Sequence, residues 1–171
     1  ADAVIILPNN SNIIMAAQSA AGLSEVPCAV VPTKSVPQAF SALFSADETA
    51  SLEENVENMT SAFADTKTGE VTTAIKDSKD AHDNPIHNGD VIGIADGSIE
   101  AVGSSVEDVV MSLLDTMEAE DADTLTLLAG EDFSDEQLDA LVERIESRFD
   151  ELEIDAHRGE QPLYPIVFSV E

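Results

Sequence analysis

Apolar runs broken by proline-bearing polar loops open the chain. Val4, Ile5, Ile6 and Leu7 are continuously apolar, the pattern of a strand buried on both faces, as in parallel sheets covered by helices. Pro8 has no N–H to donate and ends the ladder, while Asn9, Asn10 and Ser11 suit a turn or a helix cap. Ile13, Ile14, Ala17, Ala20 and Ala21 then recur at helical spacing. Residues 28–31 repeat the design with a short apolar strand, the break Pro32-Thr33-Lys34-Ser35, and a helical pattern over 36–44 with Pro37 in its first turn. Two such units in succession predict parallel strands joined by right-handed crossovers. Ser51 and Glu54 form a capping box ahead of a helix with Leu52, Val56, Met59 and Phe63 on one face.

The pattern changes near residues 65–69, which places a boundary there and gives lobes 1–68 and 69–171. Val71, Thr73 and Ile75 alternate as in a half-buried strand over 70–76, and 77–89 is a long polar loop. Strands at 91–95 and 98–102 flank Asp96-Gly97, a two-residue hairpin signal. Ser104 and Glu107 predict another capping box, opening a helix through Met117 with Val109, Val110, Leu113 and Leu114 inward. A buried strand at 125–128 precedes a helix opened by Ser134 and Gln137, with Leu138, Leu141, Ile145 and Phe149 inward. Arg144 and Arg148 fall near its carboxyl end, where the helix dipole favours them. A strand at 152–156, a break at 157–161 and a strand at 164–170 complete the chain. The fold class expected is α/β in two lobes: an N-terminal parallel strand–loop–helix lobe, and a C-terminal mixed sheet with a hairpin and packed helices.

Charge narrows the partners. The 171 residues hold 35 acidic and 7 basic side chains, a net charge of −28, which excludes nucleic acid and anionic membrane surfaces as ligands. The acids either keep the chain soluble or steer it towards a basic partner. With 43% hydrophobic residues the chain is long enough and apolar enough to bury a core. Cys28 is alone, so no internal disulfide forms, and a cytoplasmic location is expected. No apolar run approaches the ~20 residues that span a bilayer, and there is no signal peptide. The chain begins without Met, on a strand, as an excised domain would.

Catalytic motifs are missing. No Gly-rich phosphate loop and no G-x-S-x-G elbow occurs, and Cys28 lies inside a strand pattern. His82 and His87, with Asp80 and Asp83, lie in a flexible loop whose spacing does not fix two imidazoles on one side of a metal. What remains are three loops at strand ends, residues 9–12, 33–35 and 157–161. Lys34 and Arg158 sit in them, either paired locally or forming an electropositive rim for a partner's acidic group.

The segments LPNNSNIIMAA, VVPTKSVPQAFSALF, SLEENVENM, GDVIGI and HRGEQPLYPIVFSVE resemble the C-terminal domain of the kinase subunit of bacterial fatty acid kinase, the family also described as YloV-like or DAK-phosphatase-domain proteins. One departure is visible: Glu160 stands where the family pattern carries a second glycine. The resemblance implies a domain without catalytic residues of its own that docks a DegV-type fatty-acid-binding protein. An amino-terminal domain of the parent protein would bind ATP and magnesium, and a middle domain would make it a homodimer. The product would be acyl phosphate for phospholipid synthesis. On this reading Asn9, Asn10, Asn12, Thr33, Lys34, Gln38, Arg158, Gln161 and Tyr164 are the expected contact or ligand-proximal residues, with no cofactor or metal in this segment. Three rival expectations are a small-ligand domain binding a carboxylate or phosphate, a phosphatase-like enzyme, and a structural domain that rigidifies the parent dimer.

Overall fold

A computed structural model describes residues 1–171, which divide into two units, Ala1–Thr66 and Lys67–Glu171. Unit 1 consists of β1 (Val4–Ile6), α1 (Ile14–Gly22), β2 (Cys28–Val30), α2 (Val36–Phe44) and α3 (Leu52–Ala62), with a 3-10 turn at Ser11–Ile13 leading into α1. β1 and β2 pair in parallel, Val4 opposite Cys28 and Ile6 opposite Val30. Ile5 of β1 and Leu7 just after it pack with Val31, Ala42 and Met59. Ser35 caps α2, and Ser51 with Glu54 makes the expected capping box on α3. Burial of β1 on both faces is not found: Ile5 and Ile6 are half-buried and Val4 is exposed. A two-stranded sheet has no central strand, so every residue lies at an edge. α1 shields little, with Ile14, Ala17 and Ala21 half-buried and Ile13 and Ala20 exposed.

Unit 2 consists of β3 (Lys67–Thr73), β4 (Ser78–Lys79), β5 (Pro85–Ile86), β6 (Val91–Ala95), β7 (Ser98–Gly103), α4 (Val106–Thr116), β8 (Thr124–Ala129), α5 (Asp135–Glu146), β9 (Glu153–Arg158) and β10 (Ile166–Val170). Six strands form one mixed sheet in the order β7-β6-β3-β10-β8-β9, antiparallel throughout except for β8 with β9. Asp96 (φ 47°) and Gly97 (φ 92°) make the tight turn of the β6–β7 hairpin, the positive angles that match strand twist. The core joins Leu125, Leu127, Ile166 and Phe168 of the sheet to Val109, Val110, Leu113 and Leu114 of α4 and Leu138, Leu141 and Ile145 of α5. Phe168 lies opposite Gly69, and its ring takes the space a Cβ there would fill.

Several expectations are corrected. Ser105, not Ser104, caps α4, its Oγ accepting from the Asp108 N–H, because the helix begins at Val106. The polar stretch 77–89 contains the small β4–β5 hairpin, which carries Ile86 into contact with Ala74 and Ile92. β9 runs through Arg158, and β10 starts only at Ile166, so Tyr164 precedes it. Beyond any dipole effect, Arg144 and Arg148 reach from α5 and the turn after it to Asp108 (2.8 Å) and Asp115 (3.2 Å) on α4.

Candidate functional site

Parallel pairing of β1 with β2 sets the loops at their carboxyl ends side by side. Asn9 takes a left-handed backbone (φ 56°), which asparagine tolerates better than most residues. Thr33 is completely buried; its Oγ1 donates to Asn9 Oδ1 (2.7 Å) and accepts the Asn9 N–H (3.2 Å). The two loops are therefore clipped together by one side-chain pair. Gln38, on the first turn of α2, accepts the Lys34 N–H at 2.8 Å, which fixes the loop against its helix. Asn10 caps the 3-10 turn by accepting the Asn12 N–H at 2.9 Å. Lys34 itself is exposed and makes no ion pair, whereas five of the seven cations do. Six of the nine expected residues thus form one platform in unit 1.

Arg158, Gln161 and Tyr164 belong to unit 2. The Arg158 guanidinium donates to the carbonyls of Phe133 and of Gly130 (2.9 Å) and lies 3.5 Å from an Asp135 carboxylate oxygen. Gln161 Nε2 donates to the carbonyls of Leu128 (2.8 Å) and Tyr164 (3.1 Å). Both side chains tie the segment between β9 and β10 to the end of β8. Within that segment Glu160 (φ 55°) and Leu163 (φ 69°) both take left-handed backbone. That angle is the physical reason a glycine suits position 160.

Sequence reasoning missed a groove of about 640 Å³ in unit 2, lined by Ile75, Ile86, Ile92, Ile99, Leu163 and Tyr164, with Lys76 beside them. Its signal was two large apolar residues in polar surroundings, Ile75 (86% exposed) and Leu163 (78% exposed). Burial pushes the Glu70 carboxyl up, and a hydrogen bond from Arg144 holds Asp108 down. His82 and His87 pair with different carboxylates, Glu100 at 3.4 Å and Asp90 at 3.5 Å, and no cluster of three or more His, Cys, Asp or Glu side chains has the makings of a metal site. No helix is long and apolar enough to cross a membrane.

Solved structures of low sequence identity share this fold. The DegV family protein Cg2579 from Corynebacterium glutamicum superposes with a TM-score of 0.65 at 16% identity, over 99% of this chain and 74% of that one. The Streptococcus pneumoniae Fatty Acid Kinase (Fak) B3 protein loaded with linoleic acid gives 0.62 at 15% identity, over 98% and 70%. Sequence relatives are nearer. Protein YloV of Bacillus subtilis is 40% identical over 172 residues, covering 100% of this chain and 31% of that protein. Uncharacterized protein SH1689 of Staphylococcus haemolyticus is 41% identical over 167 residues, covering 98% and 30%. The chain thus spans 30–31% of the length of these curated relatives. Residues 1–171 match from end to end the FakA-like C-terminal family of fatty acid kinase subunits, and the chain belongs to that family.

Proposed function

We propose that this chain is a docking domain, non-catalytic by itself, of a fatty acid kinase subunit. It holds a DegV-type fatty-acid-binding protein so that the bound acyl carboxylate is phosphorylated by an ATP- and magnesium-binding domain elsewhere in a homodimeric parent. The observation that carries this reading is the match of the whole chain to the FakA-like C-terminal family. The loop chemistry supports it. Asn9, Thr33, Gln38 and Asn10 direct their polar atoms at one another and at nearby backbone, which stiffens a surface instead of presenting reactive groups. Holding a loaded carrier beside the kinase domain makes phosphoryl transfer nearly intramolecular, the gain that effective concentration provides. Calorimetric titration of the chain with a fatty-acid-loaded DegV-family protein from the same genome tests this. A saturable complex at low salt is expected, and no heat of binding under those conditions overturns the reading.

The apolar groove favours a second reading, a small-ligand domain that buries an alkyl chain and meets an anionic head with Lys76. Saturable binding of a free fatty acid, weakened by Lys76→Ala, would establish it in place of docking.

A further inference from the structure

Charge is sparse in one part of this very acidic molecule. Of 35 acidic and 7 basic residues, only Glu25 and Lys34 fall within residues 3–46. Nine of the twelve exposed large hydrophobic side chains lie in that same stretch. Unit 1 also has little core to hold it, with three fully buried apolar residues in its cluster against nineteen in the main cluster of unit 2. A surface this apolar and this free of charge has the composition of an interface core.

Helix α2 shows the arrangement most directly. Its buried face is made of Pro37, Gln38, Ala39 and Ala42, small or polar residues. Its large apolar residues point the other way: Val36, Phe40, Leu43 and Phe44 are all exposed, Phe44 by 90%. Their spacing, i, i+4, i+7 and i+8, makes one continuous stripe. Folding of unit 1 leaves much of this stripe in water, and none of its four residues joins the unit's buried cluster. Acids border it: Asp47 and Glu48 follow directly, and the exposed Glu53, Glu54 and Glu57 lie on the adjoining α3.

We propose that the outward stripe Val36, Phe40, Leu43 and Phe44 of α2, with its acidic border, is the surface that receives the loaded carrier protein, which meets it with an apolar patch rimmed by Lys and Arg. This rests on the docking reading above and assigns that reading a place. Charge selects this occupant over a second copy of the chain. Self-association would bring two bodies of net charge −28 and two acidic borders together, whereas a basic rim complements the border and speeds encounter.

The test titrates the chain and its variants with the same fatty-acid-loaded DegV-family protein, with thermal melts confirming that each variant is folded. The double substitution Leu43→Ser and Phe44→Ser should weaken binding about tenfold or more, as loss of anchor side chains does. Asp47→Asn with Glu48→Gln should slow association at low salt and flatten its salt dependence. Val102→Ser, an exposed apolar residue on β7, should leave affinity unchanged. If the wild-type chain binds and the double serine variant binds within about twofold of it, this surface is refuted while docking stands. If the wild-type chain does not bind, the docking reading fails and takes the surface with it. If sedimentation shows a dimer of the chain that Phe44→Ser dissociates, a second copy covers the stripe and the proposal is overturned.

Discussion

Glu160 carries a backbone angle its side chain opposes. At φ 55° a Cβ crowds the neighbouring carbonyl, a strain on the order of 1 kcal/mol that glycine lacks. The compensating contact is slight, because its carboxylate stands 3.7 Å from Arg158 Nε and is mostly exposed. Glu160→Gly should therefore stabilise the chain by about 1 kcal/mol, read as a rise of a few degrees in the thermal midpoint; an unchanged or lower midpoint would show that the strain is relieved elsewhere. Positions like this were legible in the sequence, since the departure from glycine is local. The role of Arg158 was not. Its carbonyl partners at Gly130 and Phe133 lie 28 and 25 residues away, a distance over which no local pattern speaks. Thr33 shows the same limit: its loop could be found from Pro and Ser punctuation, but the Thr33–Asn9 clip depends on two strands being neighbours.

Elements with local signals were mostly found, the cap of α4 being read one residue early at Ser104, and features set by neighbours were the ones missed. The capping boxes at Ser51 and Ser134 and the Asp96-Gly97 turn each involve residues within one turn of chain. Two-residue strands such as β4 and β5 leave too short a pattern to read, and exposure of β1 depends on how many strands flank it. β3 illustrates a consequence of burial for titration. Glu70 faces Ile94 and Val167 across the sheet, and desolvation raises its pKa above the ordinary 4.5. The folded state then holds this proton more tightly than the unfolded state, so the group's stability contribution falls as pH rises from about the unfolded value through the raised folded value. Glu70→Gln, which cannot ionise, should match the wild type in acid, gain on it through that window and keep a constant advantage above it. Denaturant unfolding across pH 4 to 8 measures the gap, and a gap independent of pH would remove burial as the cause.

The whole molecule is shaped by its charge imbalance. Five of its seven cations already sit in ion pairs, so most acids repel one another without relief. Screening should help: raising NaCl from about 20 to 500 mM shortens the Debye length severalfold and should raise the thermal midpoint. A midpoint that falls with salt would mean that the surface ion pairs outweigh repulsion. The excess of acid was plain from composition, whereas the charge-poor stretch at residues 3–46, which holds only Glu25 and Lys34, lies in the order of the residues and went unread. Which side of α2 that stretch would show to water was not legible either, because the polar Gln38 lies on the buried face, against the usual rule that polar residues turn outward.

The strand order of unit 2 also bears on how a ribosome delivers it. β10 is the last of this unit's strands to be made, yet it lies between β3, the first of the unit, and β8. The β3–β6–β7 meander and the β8–α5–β9 segment emerge earlier as two partial sheets, each with an open edge where β10 belongs. Until Val170 leaves the exit tunnel there is no continuous sheet for α4 and α5 to share, and Phe168 has not filled the slot above Gly69. Cooperative folding of this unit is therefore deferred to the end of its translation, the long-range pairing that slows folding and leaves nascent edges in need of protection.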